Sequence, residues 1–353
     1  MTLTSVEQRR QSAWPAVRTL GNCVALPLAI TLALAAARNE ASNLATPGSI
    51  GDTMSLPAEL ERIGDALTTE RPLPPALVDN LNRWIEPMEP VKIAGPIYYV
   101  GTHGLGAYLI TTAAGHILVD GGMPSSAKAI EASIRSLGFM PEEIRFLLIT
   151  HAHIDHTGTL GYFKRMSDAT VAVMARDFES LKSGGRTDPM YGADSAFYFP
   201  PVKADRVLKD GDTVSVGNVS MTARLTAGHT QGCTTWVITV TDGGKPYTVV
   251  FPGSSNVNPG TRLGVNPSYP GIADDFRHTF IVLESLKPDI WLTAHPEAFR
   301  FEEKRASAAD AGVDAWVDRA GYKNYVADSK AEFEARVSPA LNVYSDGEQP
   351  ERE

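Results

Sequence analysis

Cysteine is nearly missing from this chain: Cys23 and Cys233 are the only two in 353 residues. That excludes the multi-bridge framework that holds small secreted domains together. Basic charge is in deficit as well. Lys and Arg number 32 against 41 Asp and Glu, a formal charge of −9, which argues against a surface that binds nucleic acid non-specifically. Long hydrophobic runs are lacking too. The apolar stretch Val24 to Ala37 falls short of the roughly twenty residues a membrane-spanning helix needs. Glycine and proline are dispersed, with no low-complexity tract and no repeat of solenoid period. What is there is a chain with 43% hydrophobic residues, long enough for a large core in one two-layer domain or in two domains.

The N-terminal residues differ from the rest. Arg9, Arg10 and Arg18 precede the apolar stretch, which ends in Ala35-Ala36-Ala37 before Arg38. This layout predicts a secretory signal over 1–37, cleaved after Ala37. The expected mature chain is periplasmic and has no stable membrane anchor. Losing three Arg and one Glu takes its formal charge from −9 to −11. Cys23 leaves with the signal, so Cys233 stays alone. Residues 38–80, with Pro47, Pro57, Pro72, Pro74 and Pro75, read as an N-terminal arm with one helix near Pro57 to Leu67. Residues 81–345 read as the folded domain and 346–353 as a tail.

The chain is organised around Thr150-His151-Ala152-His153-Ile154-Asp155-His156-Thr157-Gly158. The run Ile144 to Ile149 before it is apolar and reads as a buried strand. Leu160 to Met166 after it reads as a short helix. His151 and His153 are two apart, so in an extended segment they project to one side and can grip one ion. Asp155 and His156 follow on a chain that must turn, and point to a second place. Imidazole suits zinc and a carboxylate adds charge balance. An isolated histidine is usually an inconsequential surface group; three beside an Asp at the end of an apolar strand are a metal-ligand pattern.

The surrounding pattern is strand-rich. Strands are expected at Val91 to Ile93, Ile97 to Gly101, Tyr108 to Thr112 and Gly115 to Asp120, the last two forming a hairpin around Ala113-Ala114. Asp120 at a strand end can anchor backbone N–H groups or orient a ligand histidine. A helix is expected over Ser126 to Leu137, a strand over Thr170 to Met174 and a helix over Ala175 to Leu181. Residues 183–202 form a long loop rich in glycine and aromatics, suited either to a lip over a substrate with a bulky apolar substituent or to packing on the body. Strands follow at Val207 to Val216, Val219 to Thr226, Cys233 to Val240, Tyr247 to Phe251 and Pro288 to Ala294, with a helix over Phe276 to Leu286 and mostly helix after 302. His103, His116 and His278 are read as non-ligands.

Three strands thus end in histidine, before His151, His229 and His295. Convergence of those ends on one sheet edge would bring His151, His153 and His229 into one site and Asp155, His156 and His295 into a second.

His151-x-His153-x-Asp155-His156 resembles the signature of the metallo-β-lactamase superfamily. At Gly253-Ser254-Ser255 the chain has neither the bridging Asp of many dinuclear hydrolases of that superfamily, such as glyoxalase II and the lactonases, nor the Cys of the first two β-lactamase subclasses. With Tyr99-Val100-Gly101-Thr102, Ser183-Gly184-Gly185-Arg186, Gly228-His229-Thr230-x-Gly232, Asn258-Pro259-Gly260, Ala294-His295-Pro296 and Trp316-Val317-Asp318 it is similar to class B, subclass three, over about residues 85–335. Gln231 departs from the family, which usually has Pro there. The resemblance implies an α/β four-layer αββα sandwich of mixed sheets with helices on both outer faces. It also implies two zinc ions and hydrolysis of the β-lactam amide bond of penicillins, cephalosporins and carbapenems by a metal-bound hydroxide, conferring antibiotic resistance. Asp155 is the expected catalytic carboxylate as well as a ligand, and Ser254, Ser255 and Asn256 are candidates for the substrate carboxylate or for simple turn formation. The partner expected is a small β-lactam, for a monomeric enzyme. The alternatives are a lactone or thioester hydrolase of the same fold, or a zinc-binding protein with negligible catalysis.

Overall fold

Apolar alternation in the strands sets two sheets face to face. The computed structural model describes residues 82–258 and 260–342; the expected signal, the arm with its helix near Pro57, and the tail lie outside the described residues. The first sheet has seven strands in sequential order: β1 (Val91–Ala94), β2 (Ile97–Tyr99), β3 (Tyr108–Thr112), β4 (Gly115–Val119), β5 (Ile144–Leu148), β6 (Thr170–Met174) and β7 (Arg206–Leu208). Pairing is antiparallel from β1 to β4 and parallel from β4 to β7. The second has five: β8 (Thr213–Val216), β9 (Val219–Leu225), β10 (Thr234–Asp242), β11 (Lys245–Phe251) and β12 (Ile290–Trp291). These are antiparallel except for the parallel β11–β12 pair.

Side-chain parity builds the layers. Ile117, Val119, Leu148 and Ala172 point inward and meet Val214, Met221, Ala223, Trp236 and Ile238 of the other sheet. Leu118, Leu147, Val171 and Val173, at the alternate positions, point outward. They are covered by α1 (Ala127–Ser136) and α3 (Leu160–Ser167) through Ile130, Ile134, Leu160 and Phe163. On the far side α5 (Ile272–Ser285) and α7 (Arg319–Asn342) join the second sheet's core through Phe276, Phe280, Val326 and Phe333. The result is the expected αββα sandwich. Among the described residues no helix is long and apolar enough to cross a membrane.

The strand order places the ligands. In the first sheet the C-terminal ends of β4, β5 and β6 lie side by side, releasing Asp120, Thr150-His151 and the segment to Asp177 at one edge. In the second, β9, β11 and β12 run in a common direction, since β9 and β11 both oppose β10 and β12 parallels β11. Their C-terminal ends lead to His229, Gly253-Ser254 and His295, and ligand sites in such sheets lie beyond strand carboxyl ends. Thr234 N donates to Thr150 O at 2.7 Å and Trp236 Nε1 to Ile149 O at 2.9 Å, tying the two edges together.

The strand expected over Pro288 to Ala294 is only Ile290–Trp291, and two further elements differ. The strand read over Val207 to Val216 is two strands in different sheets. Lys209 N donates to Asp212 Oδ2 and Gly211 takes φ +84°, a turn that only its glycine makes easy. The helix expected from Phe276 starts earlier, at Ile272 after Gly271, with Asp274 and Asp275 in its first turn, where acidic groups favour the helix dipole.

Candidate metal centre

His153 has extended backbone (φ −107°, ψ 160°) and the chain then coils into the one-turn α2 (Ile154–Thr157). Thr157 Oγ1 and N both donate to His153 O, at 2.7 and 3.0 Å. This change from extended to helical is what sends His151 and His153 one way and Asp155 and His156 another. The rings of His151, His153 and His229 form a closed triangle, with centroids 4.6, 4.5 and 5.0 Å apart. Their ligand atoms lie within 4.8 Å of one another, as do those of His151, Asp155 and His156. Asp155 Oδ2 is 3.4 Å from His156 Nε2 and 3.4 Å from His295 Nε2. All six expected ligands are therefore brought together, in two adjoining groups. His103 pairs with Glu302 instead, His116 is buried at the start of β4, away from that strand's site end, and His278 is exposed.

The ligand rings are oriented from behind. His156 Nδ1 is 3.2 Å from Asp120 Oδ2, and the same carboxylate accepts from Thr150 N and Thr150 Oγ1, each at 2.8 Å. Asp120 therefore does what a strand-end carboxylate was expected to do. His229 Nδ1 is 3.1 Å from Asn256 O, which leaves Nε2 facing the cluster. His153 Nε2 is 3.5 Å from Asp188 Oδ2. Partners on the far nitrogen of a ligand histidine fix its tautomer and ring angle.

Charge divides the centre in two. Burial, then repulsion from His156 and His229, holds His151 well below the ordinary imidazole range. Burial and the neighbouring His153 lower His229 to about 3. These rings are neutral, the form that binds metal. In the other half burial opposes protonation of His156, but Asp155 and Asp120 outweigh it and raise the group. Asp155 is held low by His156 and His295 against the effect of its own burial. That half favours positive charge. His151 Nε2 and His156 Nε2 are buried with no hydrogen-bond partner, and leaving such atoms unmatched costs about 1–3 kcal/mol each. A cation in each half would satisfy them, and a set of imidazoles with one carboxylate suits zinc.

The comparisons agree with this chemistry. The family model described as "Metallo-beta-lactamase superfamily" matches residues 107–295. The chain belongs to the metallo-β-lactamase superfamily. Native FEZ-1 metallo-β-lactamase from Legionella gormanii is 40% identical with a TM-score of 0.71, the match covering 72% of this chain and 98% of that one. BJP-1, a subclass B3 metallo-β-lactamase of Bradyrhizobium japonicum, is 36% identical with a TM-score of 0.70, covering 75% and 99%. Among curated proteins, a probable metallo-hydrolase of Burkholderia pseudomallei is 33% identical over 33% of this chain and 37% of its own length. The N-acyl homoserine lactonase AttM of Rhizobium johnstonii is 30% identical over 20% and 35%, and the acyl-coenzyme A thioesterase MBLAC2 of Gallus gallus 30% over 24% and 33%. The chain spans about a third of the length of these curated relatives.

Loops around the candidate ligands are fixed by further contacts. Ser255 is fully buried and its hydroxyl donates to Tyr325 Oη on α7 at 3.1 Å. Ser254 O accepts from Cys233 Sγ at 3.5 Å. The Asn256 side chain donates to Asn258 Oδ1 at 2.9 Å. In loop 183–202 the aromatics pack on the body: Tyr191, Phe197 and Phe199 are buried, and the first two stack at 4.1 Å. Sequence reasoning missed four neighbours of the centre. Trp84 lies with its ring centroid 5.5 Å from that of His295, and Asn258 Nδ2 is 3.4 Å from His229 Nε2. Asp188 and Asp177 are the other two. No spacing signal marks any of them, because each meets a partner distant in sequence.

Proposed function

We propose that this superfamily member is a subclass B3-type β-lactamase, a periplasmic and monomeric enzyme that holds two zinc ions and opens the amide of penicillins, cephalosporins and carbapenems. The observation that carries the reading is the donor set. Three histidines adjoin Asp155, His156 and His295, and the end of β11 adds no bridging carboxylate, only Gly253-Ser254-Ser255. Identity of 40% and 36% to β-lactamases over nearly their whole length supports it.

In this reading His151, His153 and His229 hold one ion, and Asp155, His156 and His295 the other. Zinc, when bound, supplies Lewis acidity and lowers the pKa of a bound water to about 7. The rest falls to the chain. Asp155 would orient the attacking water and accept its proton. Asp120 keeps His156 turned toward the ion through Nδ1, and Asn256 O does the same for His229. Ser254 and Asn256, on the turn beside His229, are proposed to meet the substrate carboxylate. Ser255, assigned with them, would need to release Tyr325 to do so.

A second reading, a lactone or thioester hydrolase, is favoured by the names of the curated relatives. Steady-state turnover of a chromogenic cephalosporin, a carbapenem, an acyl-homoserine lactone and S-lactoylglutathione by the zinc-loaded protein decides between them. Turnover of the first two supports the β-lactamase; turnover of only the last two overturns it. A zinc protein that turns over none of the four is a binding protein.

A further inference from the structure

The turn carrying His229 is fastened to the turn carrying His151 and His153 by a side chain that belongs to neither. Asp177 follows β6 and is 2% exposed. Its Oδ1 accepts from Gly232 N at 2.7 Å, and its Oδ2 accepts from Thr230 Oγ1 at 2.8 Å and Ala152 N at 3.1 Å. Ala152 sits between His151 and His153, and Thr230 follows His229. Each turn therefore gives this one carboxylate a donor from the residue beside a histidine of the cluster.

Gly228-His229-Thr230-x-Gly232 is shaped to receive that carboxylate. A Cβ at Gly232 would lie 2.5 Å from Asp177 N and 2.7 Å from Asp177 Cβ, so a side chain there would push the two segments apart. Gly228, at φ +137°, donates its N–H to Thr230 O at 2.9 Å and closes the turn. The motif does two jobs: it presents one imidazole, and it offers two donors to Asp177. Hydrogen bonds to a buried carboxylate are the short, strong kind. Asn could not replace it, because an amide has one acceptor oxygen and would turn N–H groups toward facing donors.

We propose that Asp177 is the positioning residue that sets the spacing of His151, His153 and His229, and through it the metal affinity of that half, without touching the ion. This rests on the metal-site reading above. The other half is held separately, by Asp120 behind His156 and by β12 before His295, so the two halves should respond differently.

The test is zinc affinity by chelator competition in two backgrounds. Asp155→Ala keeps the three-histidine half, and His229→Ala keeps the Asp155/His156/His295 half. Adding Asp177→Asn should weaken zinc binding by roughly 10–100-fold in the first background and leave the second unchanged. Thr230→Val should weaken the first background by a smaller factor, and Thr230→Ser should restore it. Should Asp177→Asn fail to fold, the Thr230 pair carries the test. Unchanged affinity in the first background, or an equal loss in both, overturns the proposal. Zinc binding by neither background would overturn the metal-site reading and this inference with it.

Discussion

Asp188 joins a loop to a ligand: its Oδ2 lies 3.5 Å from His153 Nε2, while its Oδ1 accepts from Met190 N and Tyr191 N at 2.7 and 2.8 Å. One carboxylate thus shapes the segment over the site and orients a ring within it. Burial would raise this acid, but His153 and the two backbone donors hold it below the ordinary range. Asp188→Ala should lower zinc affinity by roughly 10–100-fold and open residues 183–202 to proteolysis. Asp188→Asn, which keeps an acceptor for the backbone, should lose metal affinity with less effect on the loop. Chelator competition and limited proteolysis read the two effects separately; an Asn variant with full affinity would remove the role in orienting His153.

How much of this was legible beforehand depended on whether partners were close in sequence. Ile144 to Ile149 runs straight into His151, so the apolar run and the ligands announced one another. The same holds for His229 and His295, each at the end of an apolar stretch. Asp188 and Asp177 gave no such signal. Asp177 meets residues 25 and 55 positions away, and an isolated Asp before a helix reads as a cap. The Val207 to Val216 strand failed for a different reason. Its two halves are both β-like, and the Lys209 to Asp212 turn between them moves the chain from one sheet to the other. The polar run Lys209-Asp210-Gly211-Asp212 marks a turn, but nothing local says whether such a turn returns to its own sheet or crosses to the other.

His116 gives a pH prediction outside the metal centre. It is 3% exposed, packs edge-on against Phe139 at 5.2 Å, and neither ring nitrogen has a hydrogen-bond partner. Burial lowers it; the Gly115 backbone and Glu143, 3.6 Å away, pull the other way, and Arg145 adds to the lowering. Below about pH 6.5, where an unfolded imidazole titrates, the unfolded chain binds the proton more readily than the native one. Stability therefore falls on acidification, by at most about 1.4 kcal/mol per pH unit from this group, until the native ring also titrates. His116→Phe lacks this component. Urea unfolding at pH 7.5 and pH 5 should show a smaller difference for the variant than for the parent, and equal differences would mean that His116 is not buried neutral.

Asp155 is expected to separate binding from chemistry. Its carboxylate touches both His156 and His295, so Asp155→Ala should lose one zinc equivalent as well as the proton acceptor. Hydrolysis should fall by about 10²–10⁴-fold, the range for a positioned acid–base group, with an unchanged circular dichroism spectrum. Excess zinc should not restore the rate. Full recovery at high zinc would make Asp155 a ligand and nothing more.

At the end of β11, where the chain has Gly253-Ser254-Ser255, the first position has no room for a side chain. A Cβ at Gly253 would lie 2.5 Å from Cys233 Sγ and 2.9 Å from Thr234 O, and Gly253 N already donates to Thr235 Oγ1 at 3.0 Å. The start of β10 thus presses on the end of β11 and leaves no room for an acidic side chain. Cys233 is fully buried, and burial pushes its thiol up, so it fills space there as a neutral group. Gly253→Asp should destabilise the fold by about 1–3 kcal/mol, the usual cost of overpacking, measured by denaturant unfolding. Cys233→Ala should recover part of that loss, because Sγ is the nearest obstacle, but not all of it, because Thr234 O remains. A Gly253→Asp variant as stable as the parent would show that the strand ends can part.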